Sequence, residues 1–110
     1  LLDCAHLAIY QRMLGHSPTT ALSNFPLDRI IEIHIAGGRE QHIHGLPWIE
    51  DDHGTTILPD TWEIVDYVAQ NAPNLRAVVV ECERNPLDAA LPMFLKVAEH
   101  LNGHPVLAAP

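Results

Sequence analysis

The stretch "IIEIHIAGG", residues 30–38, decides how the chain is read. Its isoleucines alternate with other side chains and it runs into two glycines, so it predicts a buried strand ending in a turn. Glu32 and His34 stand where a core strand ordinarily carries apolar residues. Being two apart, they share one face of the strand, opposite the face of Ile33 and Ile35.

The segments on either side alternate in type. "LLDCA" (1–5) is a short apolar run carrying Asp3, and "HLAIYQRMLG" (6–15) has helical spacing. "SPTTALSNFP" (17–26) opens on a capping-type Ser-Pro and predicts a short helix before Pro26. Residues 37–58 mix Gly, Pro, His and acidic residues and read as one long loop. Loops beyond about 15 residues are uncommon and tend to be functional. "PDTWEIVDYVAQNAP" (59–73) predicts a helix with Pro59 in its first turn and Trp62, Val65, Val68 and Ala69 on one face. "LRAVVVEC" (75–82) is a continuous apolar run, which predicts a strand covered on both faces. "NPLDAALPMFLKVAEHL" (85–101) predicts an amphipathic helix capped by Asn85 and ended by Gly103, with residues 104–110 as an extended tail.

Strand and helix thus alternate three times, the pattern of parallel βαβ units. The fold class is α/β, as an open three-stranded sheet or as part of a (β/α)8 TIM barrel. A full barrel takes about 250 residues. A chain of 110 residues would form one partial domain, 1–110, of roughly three βα units. Its open strand edges would call for a missing N-terminal barrel half or a second copy as partner.

Composition narrows the function. The formal charge is −8 and the six Lys and Arg residues are scattered, which argues against nucleic acid or an anionic membrane as partner. No stretch approaches the ~20 apolar residues of a membrane span, and no signal peptide is visible. Cys4 and Cys82 lie in or beside apolar runs and read as buried thiols in a reducing cytoplasm.

Charged and imidazole side chains gather where the strands finish: Asp3 and His6, then Glu32 and His34, then Asp51 and His53 in the loop that follows, then Glu81 and Glu83. In parallel α/β folds these carboxyl ends form the active-site rim. Carboxylates and imidazoles converging from several strands suit a metal, whose charge removes the repulsion among the acids. Singly, each has a plainer reading. A lone histidine at a strand end is ordinarily a satisfied structural residue, "DDHG" (51–54) is a common turn, and His42 and His44 belong to a polar loop. Glu81, ending a wholly apolar run, is the sharpest signal.

The motifs "LLDCAHL" (1–7), "LDRIIEIHIAGG" (27–38), "DDHGTTILPDTWEIVDYV" (51–68) and "AVVVECERNPLDAAL" (77–91), in that order, resemble the C-terminal part of the DUF692 proteins, the multinuclear non-haem iron-dependent oxidative (MNIO) enzymes. The resemblance covers about residues 1 to 100. It implies a xylose isomerase-like TIM barrel with two or three irons at its mouth. The activity it implies is oxidative modification of a ribosomally made precursor peptide, commonly at cysteine, with dioxygen. A separate peptide-recognition protein is implied as a partner. By match to the family's motifs, Asp3, His34, Asp51, His53 and Glu81 would be iron ligands. His6 falls where the family usually has asparagine and would take that ligand's place. Further ligands would come from earlier strands that this sequence does not contain. The rival readings are a zinc-, manganese- or magnesium-dependent isomerase- or endonuclease-type barrel, and a half-barrel assembly module without catalysis.

Overall fold

The computed structural model describes residues 1–103. Its order is β1 (Leu2–Asp3), α1 (Cys4–Met13), β2 (Glu32–Ala36), β3 (Arg39–Ile43), β4 (Leu46–Glu50), α2 (Pro59–Asn71), β5 (Ala77–Glu81) and α3 (Leu87–Asn102). The mixed α/β pattern and the parallel sheet expected from the sequence are present. β2 lies at the centre, paired in parallel with β1 on one side and β5 on the other.

The period of two in β2 decides which face is packed. Ile33 and Ile35 are fully buried and join Leu22, Ile64, Val65 and Val68 in the core. Val78 and Val80 of β5 pack against the same cluster. α1 packs on β2 and on α2, while α3 adds Ala90, Met93, Val97 and Leu101 to the core. Burial of a full aliphatic side chain is worth about 1.5–3 kcal/mol, so this layer supplies most of the drive to fold. The opposite face carries Glu32, His34 and Ala36, beside Ala77, Val79 and Glu81 in register.

Four expectations need correction. The segment 37–58 is not one loop: β3 and β4 form an antiparallel hairpin inside it. Its two-residue turn places His44 and Gly45 at φ 51° and 77°, the left-handed pair of a type I′ turn. His-Gly is a weak spelling of that turn, and only Ile49 of the hairpin is buried, so alternation gave little signal. Residues 17–26 hold only a 3₁₀ turn, Leu22–Asn24, entered through Ala21 at φ 61°. β5 is not covered on both faces, for Val79 is 39% exposed. Asn85 does not cap α3: Pro86 is the N-cap, and the Asn85 amide instead donates to the backbone carbonyls of His53 and Cys82. Gly103 does end α3. The expected tail, 104–110, lies outside the described residues.

No helix among the described residues is long and apolar enough to cross a membrane. Cys4 and Cys82 are both free and buried. Burial, with the Asp3 charge beside it, pushes the Cys4 thiol up to about 12, so it is an inert packed group.

Candidate metal centre

Strand register builds the centre. Asp3 is level with His34 across β1 and β2, and His34 is level with Val79 across β2 and β5. Glu81 lies two residues beyond Val79, hence on the same face. Asp3, His34 and Glu81 each present a ligand atom, all within 4.8 Å of one another. Nδ1 of His34 is 3.2 Å from Oε1 of Glu81, and Nε2 is 2.6 Å from Oε1 of Glu32. Asp3 is also the N-cap of α1, its Oδ1 accepting from the His6 backbone N–H at 2.8 Å. A helix start is thereby fixed to the strand end.

The remaining groups arrive from the first turn of α1 and the loop after β4. Nδ1 of His6 is 3.0 Å from Oδ2 of Asp3, and its Nε2 is 2.5 Å from Oδ2 of Asp51. Nε2 of His53 is 3.5 Å from Oδ1 of Asp51 and 4.0 Å from Oε2 of Glu81, while its Nδ1 is 2.6 Å from Oε1 of Glu83. Asp3, His6, Asp51, His53, Glu81 and His34 therefore form one connected set, with Asp3, His34 and Glu81 as its tightest part. The loop is held hard. His53 takes a left-handed φ of 49°, with its carbonyl anchored by Asn85 at 2.6 Å. Gly37 runs so close to Gly54 that a Cβ on it would lie 2.1 Å from the Gly54 carbonyl oxygen.

The electrostatics suit a cation. Oδ1 of Asp51 is buried with no hydrogen-bond partner among the described residues and only the His53 ring at 3.5 Å, a costly state for a carboxylate oxygen that a bound ion would relieve. His34 is raised above its ordinary 6.5, chiefly by the Glu32 hydrogen bond and further by Glu81, against some desolvation. His53 is raised too, chiefly by its hydrogen bond to Glu83, with Asp51 and Glu81 adding to it against desolvation. Glu83 is lowered, first by a backbone hydrogen bond and then by His53. Both imidazole shifts come from the neighbouring acids, which favour a positive charge at the centre, and a metal ion would compete with protons for the same nitrogens. Carboxylate oxygen with imidazole nitrogen is a donor set for iron, manganese or zinc.

Glu32 and Glu83, among the charged groups expected at the strand ends but outside the ligand set that the resemblance implies, touch the proposed ligands, as does Asn85, expected instead as a helix cap. Glu32 shares a face of β2 with His34, two residues away, whereas Glu83 lies in the turn after β5, where strand period does not reach. Asn85 gave no such signal. His42 and His44 sit exposed on the hairpin, away from this set. His100 pairs with Asp66 at 2.6 Å and stacks on Trp62 with ring centroids 4.2 Å apart.

Comparison with known proteins identifies the family. A UPF0276 protein of Neisseria meningitidis serogroup C (strain 053442) is 29% identical over 80 residues, covering 70% of this chain and 28% of the relative. A UPF0276 protein of Acaryochloris marina (strain MBIC 11017) is 33% identical over 70 residues, covering 64% of this chain and 24% of the relative. The chain thus spans about a quarter of the length of these curated relatives. No solved structure matches it. The family described as "RiPP precursor modification enzyme MbnB/TglH/ChrH" matches residues 1–102. The chain, with its Asp-, His- and Glu-bearing strand ends, belongs to that family, the DUF692 or MNIO group.

Proposed function

We propose that this chain is the C-terminal portion of a (β/α)8 barrel enzyme that uses iron to modify a ribosomally made precursor peptide oxidatively, at cysteine. The observation that carries the reading is the convergence of Asp3, His34 and Glu81 on the open sheet face, with Asp51 and His53 closing on them from the loop. Asp3, His34, Asp51, His53 and Glu81 would hold the iron, and His6 would join them through its contacts with Asp3 and Asp51. Iron, when bound, supplies the redox chemistry with dioxygen. The residues of the chain fix the donor geometry and hold negative charge against the cation. Two free cysteines and the absence of a spanning helix among the described residues accord with a cytoplasmic setting.

The open face and the exposed stripe Leu87, Leu91, Phe94 and Leu95 on α3 support a further element of the proposal. The rest of the same barrel would cover them, since the relatives extend well beyond the matched region. That portion would bring further ligands, and a peptide-recognition protein would deliver the substrate. The test is metal analysis of the barrel-length protein followed by mass spectrometry of a cysteine-containing precursor peptide incubated with it in air. Iron content with an oxidative mass change, abolished in His34→Ala, supports the reading. Zinc or manganese content with no change to the peptide would favour a hydrolytic or isomerising barrel instead.

A further inference from the structure

Two of the three candidate histidine ligands, His34 and His53, are gripped in the same way. His34 has Nε2 held at 2.6 Å by Glu32, leaving Nδ1 toward Glu81. His53 has Nδ1 held at 2.6 Å by Glu83, leaving Nε2 toward Asp51 and Glu81. Glu32 shares a face of β2 with His34, two residues along the strand, and Glu83 reaches His53 from the turn that follows β5. Glu32 and Glu83, like His53, lie outside the Asp3, His34 and Glu81 cluster, but each contacts the ring nitrogen that faces away from Glu81. An imidazole that donates its second N–H to a carboxylate is fixed in tautomer and ring orientation, and is a stronger donor to a metal through the other nitrogen.

We infer that Glu32 and Glu83 are positioning residues that commit Nδ1 of His34 and Nε2 of His53 to the metal centre. The inference rests on the metal-centre reading above and adds to it which nitrogen of each ring is used and which carboxylate sets that choice. The two rings are held with opposite tautomers. Nε2–H of His34 donates to Glu32, whereas Nδ1–H of His53 donates to Glu83.

The experiment has two arms on the barrel-length protein, since the proposed centre draws further ligands from outside these residues. The first is long-range proton–nitrogen correlation spectroscopy of the metal-free protein at a pH above the titration of both rings. It reads the tautomers directly. His34 is expected as Nε2–H and His53 as Nδ1–H, with Glu83→Ala returning His53 to Nε2–H. The second arm titrates cobalt(II), followed by its visible absorption, into the wild type, Glu32→Ala and Glu32→Gln. Loss of the carboxylate is expected to weaken cobalt binding about 10–100-fold, with the amide variant in between because its oxygen still accepts. A purely structural role for Glu32 would move the melting temperature but not the cobalt affinity measured on folded protein. The inference is overturned if either ring shows the opposite tautomer with its carboxylate intact, or if Glu32→Ala binds cobalt as tightly as the wild type. Expected tautomers in a wild type that takes up no cobalt would sink the metal-centre reading while upholding the orientation of the rings.

Discussion

Asp3 stands level with His34 across the parallel pairing of β1 with β2, while its Oδ1 accepts from the His6 backbone N–H in the first turn of α1. One side chain thus ends a strand, starts a helix and faces the candidate metal. These duties separate by substitution. Asparagine caps a helix about as well as aspartate, whereas alanine forfeits about 1 kcal/mol. Asp3→Asn is expected to keep the thermal stability of the wild type and lose metal affinity. Asp3→Ala should lose both. Thermal unfolding and cobalt(II) titration on the same samples check this. Equal cobalt affinity in Asp3→Asn and the wild type would remove Asp3 from the ligand set.

The metal-free protein should be less stable at pH 8 than at pH 6. His34 and His53 are raised above 6.5 on folding, so their contribution is complete below that value and is lost as pH rises through the raised folded values. Glu83 is lowered from 4.5, so its contribution is present above that value and fades as pH falls through the folded one. A stability maximum is therefore expected between about pH 5 and 6.5. The formal charge of −8 pushes the alkaline limb the same way. Urea unfolding across pH measures it. Rising stability from pH 6 to 8 would contradict the ion pairing at the centre.

Gly37→Ala should damage the centre from outside it. The added Cβ would meet the Gly54 carbonyl at 2.1 Å, a backbone contact that no side-chain rotation relieves. Overpacking of this kind costs about 1–3 kcal/mol. Because Gly54 follows His53 directly, the displaced loop should also loosen metal binding. Wild-type cobalt affinity in a destabilised Gly37→Ala protein would show that His53 is not a ligand.

Gly45→Ala should act only on the hairpin. At φ 77° an L-residue costs about 1–2 kcal/mol. Amide hydrogen exchange is expected to quicken across β3 and β4 while the amides of β2 keep their protection. Uniform acceleration in both sheets would mean that the hairpin is part of the cooperative core.

The stripe on α3 gives an expectation for assembly. The isolated chain should associate at tens of micromolar, and Leu91→Lys with Phe94→Glu should shift it toward monomer in sedimentation equilibrium. A clean monomer of the wild type with cooperative unfolding would show that the open face and the stripe tolerate water, against the partial-barrel proposal.

The parts of this protein legible in its sequence are those written by strand period. Ile33 and Ile35 marked the packed face of β2, and Glu32 and His34 marked the other. Asp3, His34 and Glu81 could be gathered because parallel strands bring their carboxyl ends to one rim. The hairpin escaped notice because most of its side chains face solvent, and solvent imposes no pattern. The openness of β5 escaped for a related reason. An apolar run states that a strand needs cover on both faces, not that this stretch of chain provides it. The grip of Asn85 on His53 depends on two loops meeting, which no local pattern encodes.

The hairpin leaves and rejoins the chain at adjacent points, for Arg39 is paired with Glu50 and their side chains are bonded at 2.7 Å. Gly38 therefore precedes its first strand and Asp51 follows its last almost side by side. Residues added or removed as opposed pairs would lengthen or shorten the stem and leave both neighbours in place. The count of residues between His34 and Asp51 is thus decoupled from the distance between them. A longer or shorter stem could therefore stand between Gly38 and Asp51 and leave the donor atoms of the centre where they are.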